Sequence, residues 1–164
     1  MIKQILVLAL VALLSACSYH LRGSVEVPEI LKYIHVQAAS PLLYNSFKDT
    51  LKTSGGQLID NPDPKGVVIK VVDERFDRRS LSLSSTGKAS EFELHYDLAY
   101  EVLGSAGQLF VPRQLIKVKR TYYNDQQDVI GKGNEENLIR LEMYQQAVRE
   151  LIDRGRAMLK TVQK

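Results

Sequence analysis

Four sets of side chains in this 164-residue chain are of types that do chemistry. The only cysteine, Cys17, carries a thiol that can act as a nucleophile or accept an acyl group. Glu91, Glu93, Asp97 and Glu101 form a row of carboxylates, and two of them facing one another across a cleft could serve as general acid and base. Their spacing is also that of one solvated strand face, which is the plainer reading. The three histidines, His20, His35 and His95, come without the paired Cys or Asp spacing of a metal site, so packing or surface roles fit them better. Residues 104–107 (GSAG) lack the Gly-x-Ser-x-Gly order that presents a nucleophile on a strained turn. Residues 131–133 (GKG) lack the upstream glycine and the Ser or Thr of a phosphate-cradling loop. The expectation is a protein that is not an enzyme and needs no metal or cofactor.

The fourth set is basic. Arg75, Arg78 and Arg79 end one strand; residues 80–86 (SLSLSST) carry its alternation to a hairpin tip, and Lys88 begins the return. Lys117, Lys119 and Arg120 lie on a later strand, and Lys132 stands between two glycines at the mouth of a helix. Scattered solubilising charge accounts for each cluster taken alone. The alternative is a site for an anionic amphiphile, with cations on phosphates and Leu81, Leu83 or Phe76 against acyl chains or a partner. Lys132 also adjoins a helix N-terminus, which favours anions. A formal charge of only +3 argues against nucleic acid as the partner.

What positions these groups begins before Cys17. Behind the single charge of Lys3, residues 5–14 form an apolar run of about ten residues, roughly half the length of a membrane-crossing helix, followed by Leu14-Ser15-Ala16-Cys17. This arrangement resembles the signal peptide and lipobox of bacterial lipoproteins, in which the cysteine is acylated and becomes the first residue. The competing reading is a secretory signal cut elsewhere, which would leave Cys17 as a small buried hydrophobe or as an unpaired thiol, a liability in an oxidising compartment. One acyl chain binds a membrane marginally, whereas two or more anchor stably, and lipoproteins of this kind carry three. Ser18 stands where aspartate commonly marks inner-membrane retention, so the resemblance implies the periplasmic side of the outer membrane. The expected organisation is a cleaved signal (residues 1–16), a lipidated tether (17–29) and a single domain (30–164). Removing 16 of 164 residues leaves 148 and lowers the charge from +3 to +2, a balanced surface on a chain long enough for its own core.

Within the domain, residues 30–37 (ILKYIHVQ) predict a first strand. Ser40 and Pro41 predict an N-cap and first helical residue, Leu43, Phe47 and Leu51 one buried face, and Gly55-Gly56 a left-handed stop. Residues 67–72 read as a buried strand parallel to the first, as a right-handed strand–helix–strand crossover requires. From 91 to 102 the chain alternates strictly: Phe92, Leu94, Tyr96, Leu98, Tyr100 and Val102 against a polar set that includes His95. Residues 104–107 make a hairpin connection into a fourth strand that ends at Tyr123, with Ile116 and Val118 inward. Asn134 predicts the cap of a second helix with an apolar stripe of Leu138, Leu141, Tyr144, Val148, Leu151, Ile152 and Leu159. The fold class is α+β, two-layer, with two helices on one face of a four-stranded mixed sheet.

Cys17-Ser18-Tyr19-His20-Leu21-Arg22-Gly23 with Val27-Pro28 resembles the mature N-terminus of the LPS-assembly lipoprotein family LptE. Gly133-Asn134-Glu135-Glu136 and Glu142-Met143-Tyr144 are similar to that family's second-helix segment, as is the β-α-β-β-β-α order to its fold. The resemblance implies a lipid-anchored plug inside the outer-membrane barrel LptD, which it helps to assemble, and binding of lipopolysaccharide during export. On that implication Lys88 and Lys132, with Arg78 and Arg79, are candidate contacts to lipopolysaccharide, and Lys117, Lys119 and Arg120 candidate contacts to the barrel. Two positions depart from the family pattern: Ser18 replaces a common glycine, and the basic residue of the hairpin tip, Lys88, follows the turn glycine instead of preceding it. Two other readings stay open. A free-standing periplasmic carrier would need an acyl-sized apolar cavity, and an envelope hydrolase would need a nucleophile beside a base.

Overall fold

The computed structural model describes residues 29–85, 87–123 and 132–162, the last of these with side chains for 135–158. A 3-10 turn, Glu29–Leu31, leads into β1 (Tyr33–Gln37), α1 (Pro41–Ser54), β2 (Gln57–Leu58), β3 (Val67–Leu83), β4 (Ala89–Gly104), β5 (Leu109–Tyr123) and α2 (Lys132–Val162). The strands join in the order β2-β1-β3-β4-β5. β1 runs parallel to both its neighbours, as the crossover rule requires, and the other pairs are antiparallel.

The start of α1 follows from its sequence. Ser40 Oγ accepts the Leu43 N–H at 3.3 Å, and Pro41 takes the first helical position, where no N–H is needed. At the other end Gly55 adopts φ 76°, the left-handed conformation glycine enters without a Cβ penalty. Leu43, Phe47 and Leu51 are fully buried along the face this fixes.

The sheet has five strands, not the four expected. The missing one is β2, two residues that carry no readable period. It forms because the chain leaving α1 runs alongside β1, where Gln57 N–H donates to the Lys32 carbonyl at 2.7 Å and Ile59 N–H to that of Ile34 at 2.9 Å. β1 also begins later than expected. The residues before it close the 3-10 turn, with Lys32 N–H on the Glu29 carbonyl at 3.1 Å, and this turns Leu31 into the core.

β4 alternates as its sequence says: Leu94, Tyr96, Leu98, Tyr100 and Val102 are buried against the helices. β3 does not alternate throughout. Val71 faces Tyr100 and Asp73 faces Ala99, so one extra residue, Val72, is bulged out. Before the bulge odd-numbered residues face the helix layer; after it Glu74, Phe76 and Arg78 do.

α2 starts at Lys132, two residues ahead of the expected Asn134 cap. Its buried seam is Met143, Tyr144, Ala147, Val148, Leu151 and Ile152, with Ile139 packed against it. Leu138 and Leu141, expected in the stripe, are 58% and 37% exposed. At 100° per residue Leu141 falls on the arc of Val148 and Ile152 and Leu138 about 40° beyond it, so their exposure marks the first turns of α2, ahead of Met143, as less deeply covered. Leu159 lies outside the described side chains.

Candidate functional site

The bulge at Val72 divides basic residues that adjoin in sequence. On the sheet face away from the helices, cross-strand register makes three rows: Arg75–Asp97–Lys117, Asp77–His95–Lys119 and Arg79–Glu93–Thr121. His95 Nε2 is paired with the Glu93 carboxylate on its own strand. Further along, Lys70 Nζ lies 3.7 Å from Glu101. Cations and carboxylates thus interleave over this open face, which is polar and close to neutral. The carboxylate row belongs to this ladder: Glu93, Asp97 and Glu101 each face a cation on a neighbouring strand, and Glu91 stands between Ser82 and Tyr123. Among the described residues no group of three His, Cys, Asp or Glu side chains is placed to hold a metal ion.

Arg78 and Arg120 both stand opposite Leu94, on the helix-covered face. Arg78 Nη1 donates to Glu136 Oε2 at 3.0 Å, and its guanidinium lies 4.7 Å from the centre of the Phe92 ring. Arg120 donates to the Gln146 side chain of α2. The structure therefore brings Arg75, Arg79, Lys117 and Lys119 together and assigns Arg78 and Arg120 to holding α2. Lys88 is exposed at the β3–β4 turn, where Ser84 N–H donates to its carbonyl at 2.7 Å. Leu83, beside that turn, is 67% exposed, so cation and apolar surface adjoin at the tip. Lys132 is the first residue of α2, and its side chain, like all of Cys17, lies outside the described residues.

Two carboxylates fix the helices: Glu74, which the sequence did not single out, and Glu136, known there only as part of the second-helix motif. Glu74 on β3 accepts from Ser40 N–H at 3.1 Å and from Ser40 Oγ at 2.7 Å, and so clamps the N-cap of α1 to the sheet. Glu136, early in α2, accepts from Tyr122 Oη at 2.6 Å as well as from Arg78, with Arg140 Nε 3.4 Å away. Burial alone would raise the Glu136 carboxyl, but the bonds from Tyr122 and Arg78 outweigh it and hold it below the ordinary carboxylate range. The same bond to Glu136 raises Arg78. The period-two slip in β3 is the sequence signal for Glu74 and for Arg78, the partner of Glu136: after Val71 the pattern resumes at Glu74, Phe76 and Arg78.

Glu136→Ala is expected to lower stability at neutral pH by about 1–3 kcal/mol, towards the lower end because Arg78 is half exposed and solvent screens the pair. A carboxyl depressed in the folded state stabilises above its unfolded pKa and loses that contribution as pH falls through the folded value. The variant should therefore show a flatter acid limb in urea midpoints measured from pH 7 to pH 3.

Between the helices lies a cleft of about 380 Å³ lined by Asp49, Thr50, Thr53, Ser54, Gln145 and Arg149. Its lining combines hydroxyls, an amide and two opposite charges with about as much aliphatic surface.

Two helices over one face of a mixed sheet, with the other face left as a charged ladder, define the class: a two-layer α+β domain of a kind found in bacterial lipoproteins. The solution structure of uncharacterized lipoprotein B from Nitrosomonas europaea superposes with a TM-score of 0.69 at 23% identity, covering 87% of this chain and 93% of that one. The crystal structure of rare lipoprotein B from Shewanella oneidensis gives 0.65 at 19% identity over 80% and 99%. The chain belongs to the lipopolysaccharide-assembly family LptE, whose model matches residues 31–154. It is 27% identical over 150 residues to the LPS-assembly lipoprotein LptE of Photorhabdus laumondii, covering 90% of this chain and 81% of the relative. The protein of that name from Pectobacterium atrosepticum is 27% identical over 151 residues, with the same coverage.

Proposed function

We propose that the protein is an outer-membrane lipoprotein, anchored through acylated Cys17 after loss of residues 1–16, that fills the LptD barrel, helps it assemble and binds lipopolysaccharide in transit. Family membership across residues 31–154 carries the reading. The near-neutral ladder on the open sheet face supports it, because a polar surface of mixed charge suits the polar interior of a wide barrel. In this reading Lys88, Arg79 and Lys132, with Arg78 behind them, meet the phosphates of lipopolysaccharide, while Lys117 and Lys119 lie on the barrel-facing side and Arg120 holds α2 behind them. Affinity purification after co-expression with the barrel should recover both chains in one detergent-stable complex. A monomer that ignores the barrel overturns the proposal.

Cys17→Ala should abolish acylation and release a soluble domain with unchanged urea midpoint, since among the described residues the buried core begins at Leu31. Lipid labelling equal to that of the parent would show that Cys17 is not the anchor.

A further inference from the structure

β5 is one edge of the sheet among the described residues. Its fifteen residues contain Arg113, Lys117, Lys119 and Arg120 and no acid. Edge strands are commonly guarded by lysine and proline, and β5 has both. Guarding alone does not account for the rows that end on it. In the first row Asp97 stands between Arg75 and Lys117; Arg75 lies 4.0 Å from Asp73, which leaves Asp97 as the one carboxylate opposite Lys117. In the second, Lys119 faces His95, which is already paired with Glu93. Among the described residues neither lysine has a carboxylate within ion-pair distance. Next along the same face comes Leu115, 46% exposed, opposite Ala99. Each row stops where an opposite charge, or for Leu115 an apolar side chain, would continue it.

We infer that the outer edge of β5 receives an extended acidic segment of a partner polypeptide as a sixth strand, with two carboxylates and one apolar residue at alternate positions facing Lys119, Lys117 and Leu115. Backbone pairing supplies the affinity and the cross-strand charge pairs the selection. A second copy of this chain is excluded as the occupant, since β5 against β5 would set lysine and arginine against their like. Two arginines mark how the edge is held when free: Arg154 Nη1 donates to the Leu115 carbonyl at 2.9 Å and Arg120 Nη1 to that of Lys119 at 3.0 Å. An incoming strand displaces both guanidiniums from these carbonyls, and Arg154 keeps its bond to Glu150 and Arg120 its bond to Gln146 on the helix-covered face. Lys117 and Lys119 are the residues placed above on the barrel-facing side, so the inference rests on that reading and deepens it by giving the partner segment a conformation and a charge; the test uses a free peptide and no barrel, so either can fail without the other.

The test is amide hydrogen exchange, read by mass spectrometry, on the full-length acylated protein in detergent. The probe is a heptapeptide, Thr-Glu-Thr-Glu-Thr-Val-Thr; the control carries lysine in place of glutamate. The acidic peptide should slow exchange across residues 115–121 by about ten-fold, and the basic one should not. Lys117→Gln combined with Lys119→Gln adds no repulsion against β4 and should keep the circular dichroism of the parent while weakening the acidic peptide about three-fold or more. The proposal is overturned if neither peptide protects β5, if both do equally, or if the strand is already protected without peptide. It is also overturned if anionic vesicles give the same protection, since the site would then take headgroups and not a strand.

Discussion

Tyr96→Ala is expected to lower the free energy of unfolding by about 3–5 kcal/mol, a large share of the 5–15 kcal/mol that a domain of this size possesses. Tyr96 is fully buried near the middle of β4. Its ring lies 4.5 Å from that of Tyr144 on α2 and 6.4 Å from that of Phe76 on β3, while Val118 of β5 faces it across the sheet. Removing the ring opens a cavity where sheet and helix layers meet, and close-packed surroundings collapse only in part into such a space. The urea midpoint should fall with little change in the slope of the transition. Leu138→Ala on α2, a residue 58% exposed, should stay within about 0.5 kcal/mol of the parent. Equal effects from the two substitutions would place the core elsewhere.

The two residues also mark what the sequence could and could not disclose. β4 was legible because a central strand with one face under helices must alternate, and twelve alternating residues have no competing reading. α1 was legible at both ends because Ser40, Pro41 and Gly55 have local mechanisms that need no tertiary information. β2 was not, since a pair of residues has no period and its pairing is decided by where α1 delivers the chain. The stripe of α2 held at Tyr144, Val148, Leu151 and Ile152 and not at Leu138 and Leu141 for a related reason: how far along a long helix the layer beneath it reaches is decided by tertiary structure and leaves no mark in the period.

The candidate site was legible in its residues and not in its faces. Arg75, Arg78 and Arg79 form one basic cluster in sequence, yet the bulge at Val72 sends Arg78 to Glu136 and leaves the other two in the open ladder. A single inserted residue reverses the face of every side chain after it, so charge counted along the chain misstates charge presented by the surface. This bears on the proposed function. A uniformly basic sheet would act as an anion trap, whereas the interleaved ladder presents a polar wall, with cation and apolar surface meeting at the hairpin tip.

Raising the pH above 10 is expected to destabilise the domain steeply. Tyr96 and Tyr100 are both fully buried in the core. Burial pushes the Tyr100 hydroxyl up to about 12, and burial together with the Glu74 carboxylate raises Tyr96 and Tyr144 as well. Tyr122 is raised by burial and by its bond to Glu136. A group whose folded pKa lies above its unfolded value, about 10 for tyrosine, contributes stability that is complete below pH 10 and lost as pH climbs towards the folded value. For Tyr100 that window runs from about pH 10 to about 12 and is worth about 3 kcal/mol. Tyr96 adds a loss of about 1.4 kcal/mol per pH unit across the same range, because the unfolded chain releases a proton that the folded chain keeps. Urea midpoints measured from pH 9 to 11.5 should fall with increasing slope, and of the eight tyrosines the tyrosinate absorbance of these four should appear together with unfolding. Tyr100→Phe removes one ionisation without removing the ring, so its midpoint should decline less steeply than the parent's. A midpoint that stays constant to pH 11.5, or tyrosinate forming for all four residues while the domain remains folded, would show that these hydroxyls are in contact with water and that the core is not closed over them.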